Sequence, residues 1–181
     1  MRKRILVTGA SRSGTLSVSR MLMQLGFDTP HEYMGEDGTV SCYMFEDTST
    51  GYPYSPNRKG IHKTTEKLSY YQFNMVVHLY RDPLHCIPSN VKIMNKSHQA
   101  WLGEKGILNI YDQPKMLRMM QMWYELNKRI ELLERTNLYV RCNIRDFKKV
   151  VKNKIAPYFC RDIPPDFQEK HMHKGTGLSL I

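Results

Sequence analysis

A short apolar run, Ile5-Leu6-Val7, stops abruptly in a loop with glycines at positions 9 and 14, and an amphipathic segment begins at once. No other stretch constrains the fold of this chain so strongly. Strand, glycine loop and helix in immediate succession is how α/β proteins hold a phosphate-like anion. Glycine lets backbone N–H groups approach the anion, and the helix N-terminus adds uncompensated donors at the positive end of its dipole. The first helix is expected over 14–25, with Val18, Met21, Leu22 and Leu25 at helical spacing and Gly26 as its stop.

The remaining chain alternates between strand and helix patterns. The run 74–80, with Met75, Val76, Val77 and Leu79, predicts a strand buried on both faces. It ends at Arg81-Asp82-Pro83, and 84–94 reads as a helix with Pro83 near its first turn. The longest helix is expected over 111–135, with Met116, Met120, Trp123, Leu126, Ile130 and Leu133 as its core-facing stripe. A third strand is predicted at 138–141, a helix at 144–151 and a short apolar piece at 155–159. Between these lie a short extended piece at 27–30 and a Gly-, Asp-, Ser- and Thr-rich stretch at 35–54, with a short helix around 41–47. A brief strand at 60–63, a short helix at 64–71 and an irregular loop at 96–109 complete the pattern.

Strands alternating with helices imply an α/β domain, a three-layer P-loop type with a central, mainly parallel sheet flanked by helices. A single domain is expected over 1–181, with 165–181 as a flexible tail or a closing loop. That length buries a core without disulfides or metals. The four cysteines, Cys42, Cys86, Cys142 and Cys160, are far apart and form no CxxC pair, which favours free thiols in a reducing compartment. No apolar run reaches membrane-spanning length, and Met1-Arg2-Lys3-Arg4 leads into a run too short for a signal peptide, so the expected location is cytoplasmic. Twenty-seven Lys and Arg against seventeen acids give a net charge of +10, which implies an anionic partner. Nucleic acid is disfavoured, since no nucleic-acid motif is present and the aromatics are not interleaved with a basic stripe.

The loop residues narrow the choice of anion. The common nucleotide-binding pattern GxxxxGK[ST] starts well with Gly9 and Gly14, but Thr15 stands where the lysine belongs and Leu16 where the magnesium-binding hydroxyl belongs. Val7-Thr8-Gly9-Ala10-Ser11-Arg12 also looks like the opening of a short-chain dehydrogenase, yet Ser13 and Thr15 replace the further glycines, and Asn74 and Met75 stand where a Tyr-xxx-Lys pair would put its lysine. A third match is closer. Ser11-Arg12-Ser13-Gly14-Thr15 resembles the 5′-phosphosulfate loop of the PAPS-dependent sulfotransferase family, roughly Pro-Lys/Arg-Ser-Gly-Thr-Thr. Ser11 replaces the proline and Leu16 the second threonine. The resemblance implies that the backbone donors of Ser13, Gly14, Thr15 and Leu16 hold the 5′-phosphate. Arg12 then faces the bridging oxygen that gains charge as the sulfuryl group leaves.

A second motif agrees in order and spacing. In that family a buried strand ends in Arg-Asp-Pro or a relative, and a serine eight residues after the arginine helps it hold the 3′-phosphate. Here Arg81 and Ser89 have that spacing, about two helical turns apart along the following helix. Taken alone, Arg81-Asp82-Pro83 is an ordinary helix start with an internal ion pair. Weaker similarities are Leu138-Tyr139-Val140-Arg141 with Asp146-Phe147, and the basic glycine stretch His173-Lys174-Gly175-Thr176-Gly177.

The resemblance implies 3′-phosphoadenosine 5′-phosphosulfate (PAPS) as donor and a hydroxyl or amine as acceptor, with no metal required. Three residues are candidates for the base that takes the acceptor proton. Glu32 lies twenty residues after Arg12, as the base does in the tyrosylprotein branch. His62, in Gly60-Ile61-His62-Lys63-Thr64, is similar to a Lys-Thr-His stretch of the cytosolic branch, and His31 adjoins Glu32. Lys63 and Arg58 are available to neutralise acceptor or sulfuryl charge, and Tyr33, Tyr43, Tyr52, Tyr54 and Trp101 to line an acceptor pocket. The acceptor itself stays open among small metabolite, glycan, lipid and peptide. The alternatives are an atypical P-loop kinase and a non-catalytic basic module that binds polyanions.

Overall fold

The computed structural model describes residues 4–31, 34–42, 73–93, 113–135 and 138–167. Four strands, β1 (Ile5–Gly9), β2 (Val40–Ser41), β3 (Met75–Tyr80) and β4 (Leu138–Asn143), form one sheet in the order β2-β1-β3-β4. All three pairings are parallel. β1 lies alongside β3 over its whole length, from Ile5 opposite Met75 to Gly9 opposite Leu79. Every residue of β1 is buried, as a parallel strand covered on both faces requires.

Alternation along the strands divides two cores. Ile5 and Val7 point to one face, with Met75, Val77, Leu79, Val140 and Cys142. That face is covered by Val18, Met21 and Leu22 of α1 (Thr15–Gln24), and by Phe147, Val151 and Ile155 from the C-terminal helical stretch. Leu6 and Val76 point to the other face, with Val40, Cys42, Phe73, Ile130 and Leu133. Ile130 belongs to α3 (Lys115–Glu131), which packs against α2 (Pro83–Ile93) and continues into the 3-10 turn Leu132–Arg135. The result is an α/β fold of three layers, helix on sheet on helix.

Several elements depart from the pattern in the sequence. Ser41, expected in a short helix, lies in β2, a two-residue strand too brief for any periodicity to mark. The stretch after β4 is a 3-10 turn, Ile144–Asp146, then α4 (Phe147–Val150), a π-helical turn Val151–Ile155 and α5 (Ala156–Phe159). The stripe of α3 is also partly out of phase. Its buried residues are Met119, Met122, Leu126, Asn127 and Ile130, while Met116 and Met120 are 45% and 48% exposed. Methionines at 116, 119, 120 and 122 allow two stripes, and only contact with the sheet chooses between them. Among the described residues, no helix is long and apolar enough to cross a membrane.

A buried polar network ties the second layer together. His78 of β3 has its Nδ1 2.6 Å from the Tyr139 hydroxyl and its Nε2 2.8 Å from Asn127 Oδ1. An amide oxygen only accepts, so Nε2–H donates to Asn127, and Nδ1 of the neutral ring accepts from Tyr139. Asn127 Nδ2 in turn donates to the Trp123 carbonyl at 2.7 Å. Burial brings the imidazole pKa down from 6.5 to about 4, with the Asn127 hydrogen bond opposing and the Arg141 charge assisting, so the ring is neutral at physiological pH.

The connections set the place of the site. From β1 the chain passes through α1 to β2 on one side, while β3 pairs with the opposite edge of β1 and β4 lies beyond it. The carboxyl ends of β1 and β3 therefore flank a topological switch point, the crevice where open parallel sheets bind their ligands.

Candidate anion-binding site

The loop after β1 is tightly packed. A Cβ on Gly9 would lie 2.2 Å from the Leu79 carbonyl oxygen and 2.7 Å from Ser13 Oγ, so only glycine lets β1 run this close to β3 at its end. The Ser13 N–H donates to the Ala10 carbonyl at 3.1 Å and closes the turn. Arg12 is left-handed at φ 69° and Gly14 follows at φ 111°. The first helical bond runs from Val18 N–H to the Gly14 carbonyl at 3.1 Å. The N–H groups of Gly14, Thr15, Leu16 and Ser17 precede it and have no intrahelical acceptor. No side chain caps this N-terminus, and the first turn of α1 holds no acid. Ser13 Oγ is buried with no hydrogen-bond partner. Free donors, an orphaned hydroxyl and no negative charge of its own fit the loop to a bound phosphate or sulfate group.

The second motif meets the loop directly. Arg12 Nε donates to Ser89 Oγ at 2.9 Å, although the two residues are 77 apart in sequence. Arg81 Nη1 donates to the Arg12 carbonyl at 3.3 Å. Asp82 serves the helix: its carboxylate accepts from Leu84 N–H at 2.9 Å and lies 3.4 Å from His85 Nδ1. Asp82 thus caps α2, and the guanidinium of Arg81 turns toward the loop. Two further residues of α2 hold the loop from below. Cys86 Sγ lies 3.5 Å from the Arg12 carbonyl, and Asn90 Nδ2 donates to the Ser11 carbonyl at 3.0 Å. Burial pushes the Cys86 thiol up to about 11 against the pull of Arg81 and Arg12, so it remains a protonated donor.

From the β2 side, Ser41 Oγ donates to the Thr15 carbonyl at 2.8 Å, and His31 Nε2 lies 3.0 Å from Thr15 Oγ1. Ser19 Oγ donates to the Thr29 carbonyl and holds the segment after α1 against it. The loop is therefore gripped from both sides of the switch point.

Of the residues singled out in the sequence, Arg12, Ser13, Gly14, Thr15, Leu16, Arg81 and Ser89 come together at the carboxyl ends of β1 and β3. Leu16 is half-buried and offers its backbone N–H, while its own side chain supplies no hydroxyl. His31 is described and touches the loop. Glu32 and His62 lie outside the described residues, as do Arg58, Lys63, Tyr33, Tyr43, Tyr52, Tyr54, Trp101 and the stretch 171–177. Cys86, Asn90 and Ser41 were not singled out. The i, i+4 pair Cys86 and Asn90 on the inward face of a helix that begins at the site is the sequence signal that points to the first two. Among the described residues no group of three or more His, Cys, Asp or Glu could hold a metal ion.

No family model, no curated protein and no solved structure matches this chain.

Proposed function

We propose that the chain is a cytoplasmic, PAPS-dependent sulfotransferase that moves a sulfuryl group from the donor to a hydroxyl or amine. One observation carries the proposal: Arg12 and Ser89, drawn from the two separate motifs, are in hydrogen-bond contact. Two cations, a serine and a helix N-terminus thereby face one crevice at a switch point. That arrangement suits a nucleotide with phosphates at both ends of its ribose.

In this reading the free N–H groups of Gly14, Thr15, Leu16 and Ser17 hold the 5′-phosphate, with Ser17 in place of the expected Ser13, whose N–H is bonded to the Ala10 carbonyl, and Arg81 with Ser89 holds the 3′-phosphate. The donor supplies an activated sulfuryl group whose departure leaves negative charge on the 5′-phosphate. Arg12, at the head of the loop, neutralises that charge. Glu32, His62 or His31, in that order of preference, takes the acceptor proton. His31 is in contact with the loop through Thr15. No residue role in this scheme calls for a metal.

Adenosine 3′,5′-bisphosphate, the product left after transfer, tests the proposal in a thermal melt. At about one hundred times its Kd it should add about 2.7 kcal/mol. For a chain of this size that is a rise of roughly 5–10 °C. A rise no larger than that given by adenosine 5′-monophosphate would overturn the assignment of the 3′-phosphate site. Tighter magnesium-dependent ATP binding would favour a kinase, and binding that falls steeply with salt but ignores Arg12 and Ser89 would favour a polyanion module.

A further inference from the structure

Asn90 stands at the junction of the two half-sites without belonging to either. It is 1% exposed, and its Nδ2 donates to the Ser11 carbonyl at 3.0 Å across 79 residues of sequence. Ser11 is itself 3% exposed, so water is not available to replace that bond. The next residue, Arg12, must take up a left-handed φ of 69°. A non-glycine residue holds that conformation only where its surroundings enforce it. The two peptide groups that flank the Arg12 Cα are both held, the one before it by Asn90 on the Ser11 carbonyl and the one after it by the hydrogen bonds on the Arg12 carbonyl.

Two consecutive residues of α2 thus take two consecutive residues of the loop: Ser89 takes the Arg12 side chain, and Asn90 takes the Ser11 backbone. The first contact involves a group that faces ligand. The second lies beneath it and sets the path of the chain that presents the N–H groups of residues 14–17. Asn90 Oδ1 is buried and unpartnered, so the side chain retains an unsatisfied acceptor to keep its one donor in place. A residue that only filled space here would be apolar, without that cost.

We propose that Asn90 is a positioning residue for the phosphate loop, holding the Ser11 carbonyl so that the N–H groups of residues 14–17 converge on the 5′-phosphate. It does not touch the ligand. The proposal rests on the sulfotransferase reading of the site, since it divides binding into a 5′ half that Asn90 shapes and a 3′ half that it does not.

The test is competition by adenosine 5′-monophosphate and adenosine 3′-monophosphate against a labelled adenosine 3′,5′-bisphosphate, with the wild-type chain, Asn90→Ala and Asn90→Leu. Asn90→Leu keeps the branched shape and close to the volume, removes the donor and adds no charge, so it serves where the cavity left by alanine prevents folding. Both variants should lose about tenfold in affinity for the 5′-monophosphate, the equivalent of one buried hydrogen bond. Affinity for the 3′-monophosphate should change less than about twofold. A general loosening of the fold would weaken both ligands alike, and that result overturns the role given to Asn90. A wild-type chain with no preference for the bisphosphate overturns the sulfotransferase reading instead, and this role with it. In the unaltered chain, the Asn90 side-chain amide protons should exchange with solvent far more slowly than those of exposed Asn74. Equal exchange rates would also contradict the proposal.

Discussion

His78 makes the acid stability of the chain depend on one buried ring. Its pKa is lowered from 6.5 to about 4, chiefly by burial. Below pH 6.5 the unfolded chain takes up a proton at this ring, whereas the folded chain does so only near pH 4. The unfolded state therefore binds more protons throughout that window, and folding stability falls as pH falls across it. The contribution is complete above pH 6.5. The loss is at most about 1.4 kcal/mol per pH unit and about 3 kcal/mol in all, a large fraction of the stability of a domain. His78→Gln removes the titration while keeping an N–H able to reach Asn127 Oδ1. Urea denaturation from pH 7 to pH 4 should show wild type losing about 3 kcal/mol more than the variant. A wild-type-minus-variant difference that stays flat with pH would refute the burial argument. Where the variant does not fold, an NMR titration of the wild-type ring serves, and a midpoint above pH 6 would be equally damaging.

Gly9→Ala places a methyl group 2.2 Å from the Leu79 carbonyl oxygen, which is backbone and cannot rotate away. It should cost about 3 kcal/mol in chemical denaturation, and a loss under about 1 kcal/mol would mean that β1 and β3 separate easily at their ends. Ser89→Ala frees Arg12 Nε and removes the half-buried hydroxyl to which the proposal gives the 3′-phosphate. Affinity for the 3′,5′-bisphosphate should fall about tenfold by calorimetry with a melting temperature nearly unchanged, and unchanged affinity would remove Ser89 from the site.

Much of the fold was legible because its signals are local. The apolar run into Gly9, the glycine turn and the helix after it required no long-range information, and α1 begins at Thr15 with Gly14 as its cap. The run ending at Arg81-Asp82-Pro83 declared β3 and α2 in the same way. β2 was not legible, because two residues, Val40 and Ser41, join the sheet through partners on β1 and carry no pattern of their own. The face of α3 was legible only in its second half. From Leu126 onward the apolar residues fall on one stripe, whereas the methionines before it satisfy two.

In the site, the residues that meet around the loop were legible through a family-like order of motifs, and the residues that hold the loop were not. Asn90 and Cys86 act on backbone carbonyls, and a carbonyl has no residue identity to read. The meaning of Asp82 changed as well. An Arg-Asp pair is the natural reading of adjacent charges, but the helix start takes the aspartate and leaves the arginine for the loop.

The central claim is that one crevice reads phosphates at both ends of a ribose, and calorimetry on Arg81→Ala tests it most directly. Wild type should bind adenosine 3′,5′-bisphosphate at least about tenfold more tightly than adenosine 5′-monophosphate, as a charge-assisted contact to a second phosphate requires. Arg81→Ala should erase most of that preference and leave the 5′-monophosphate nearly unaffected. Equal loss for both ligands, or no preference in wild type, would contradict the account.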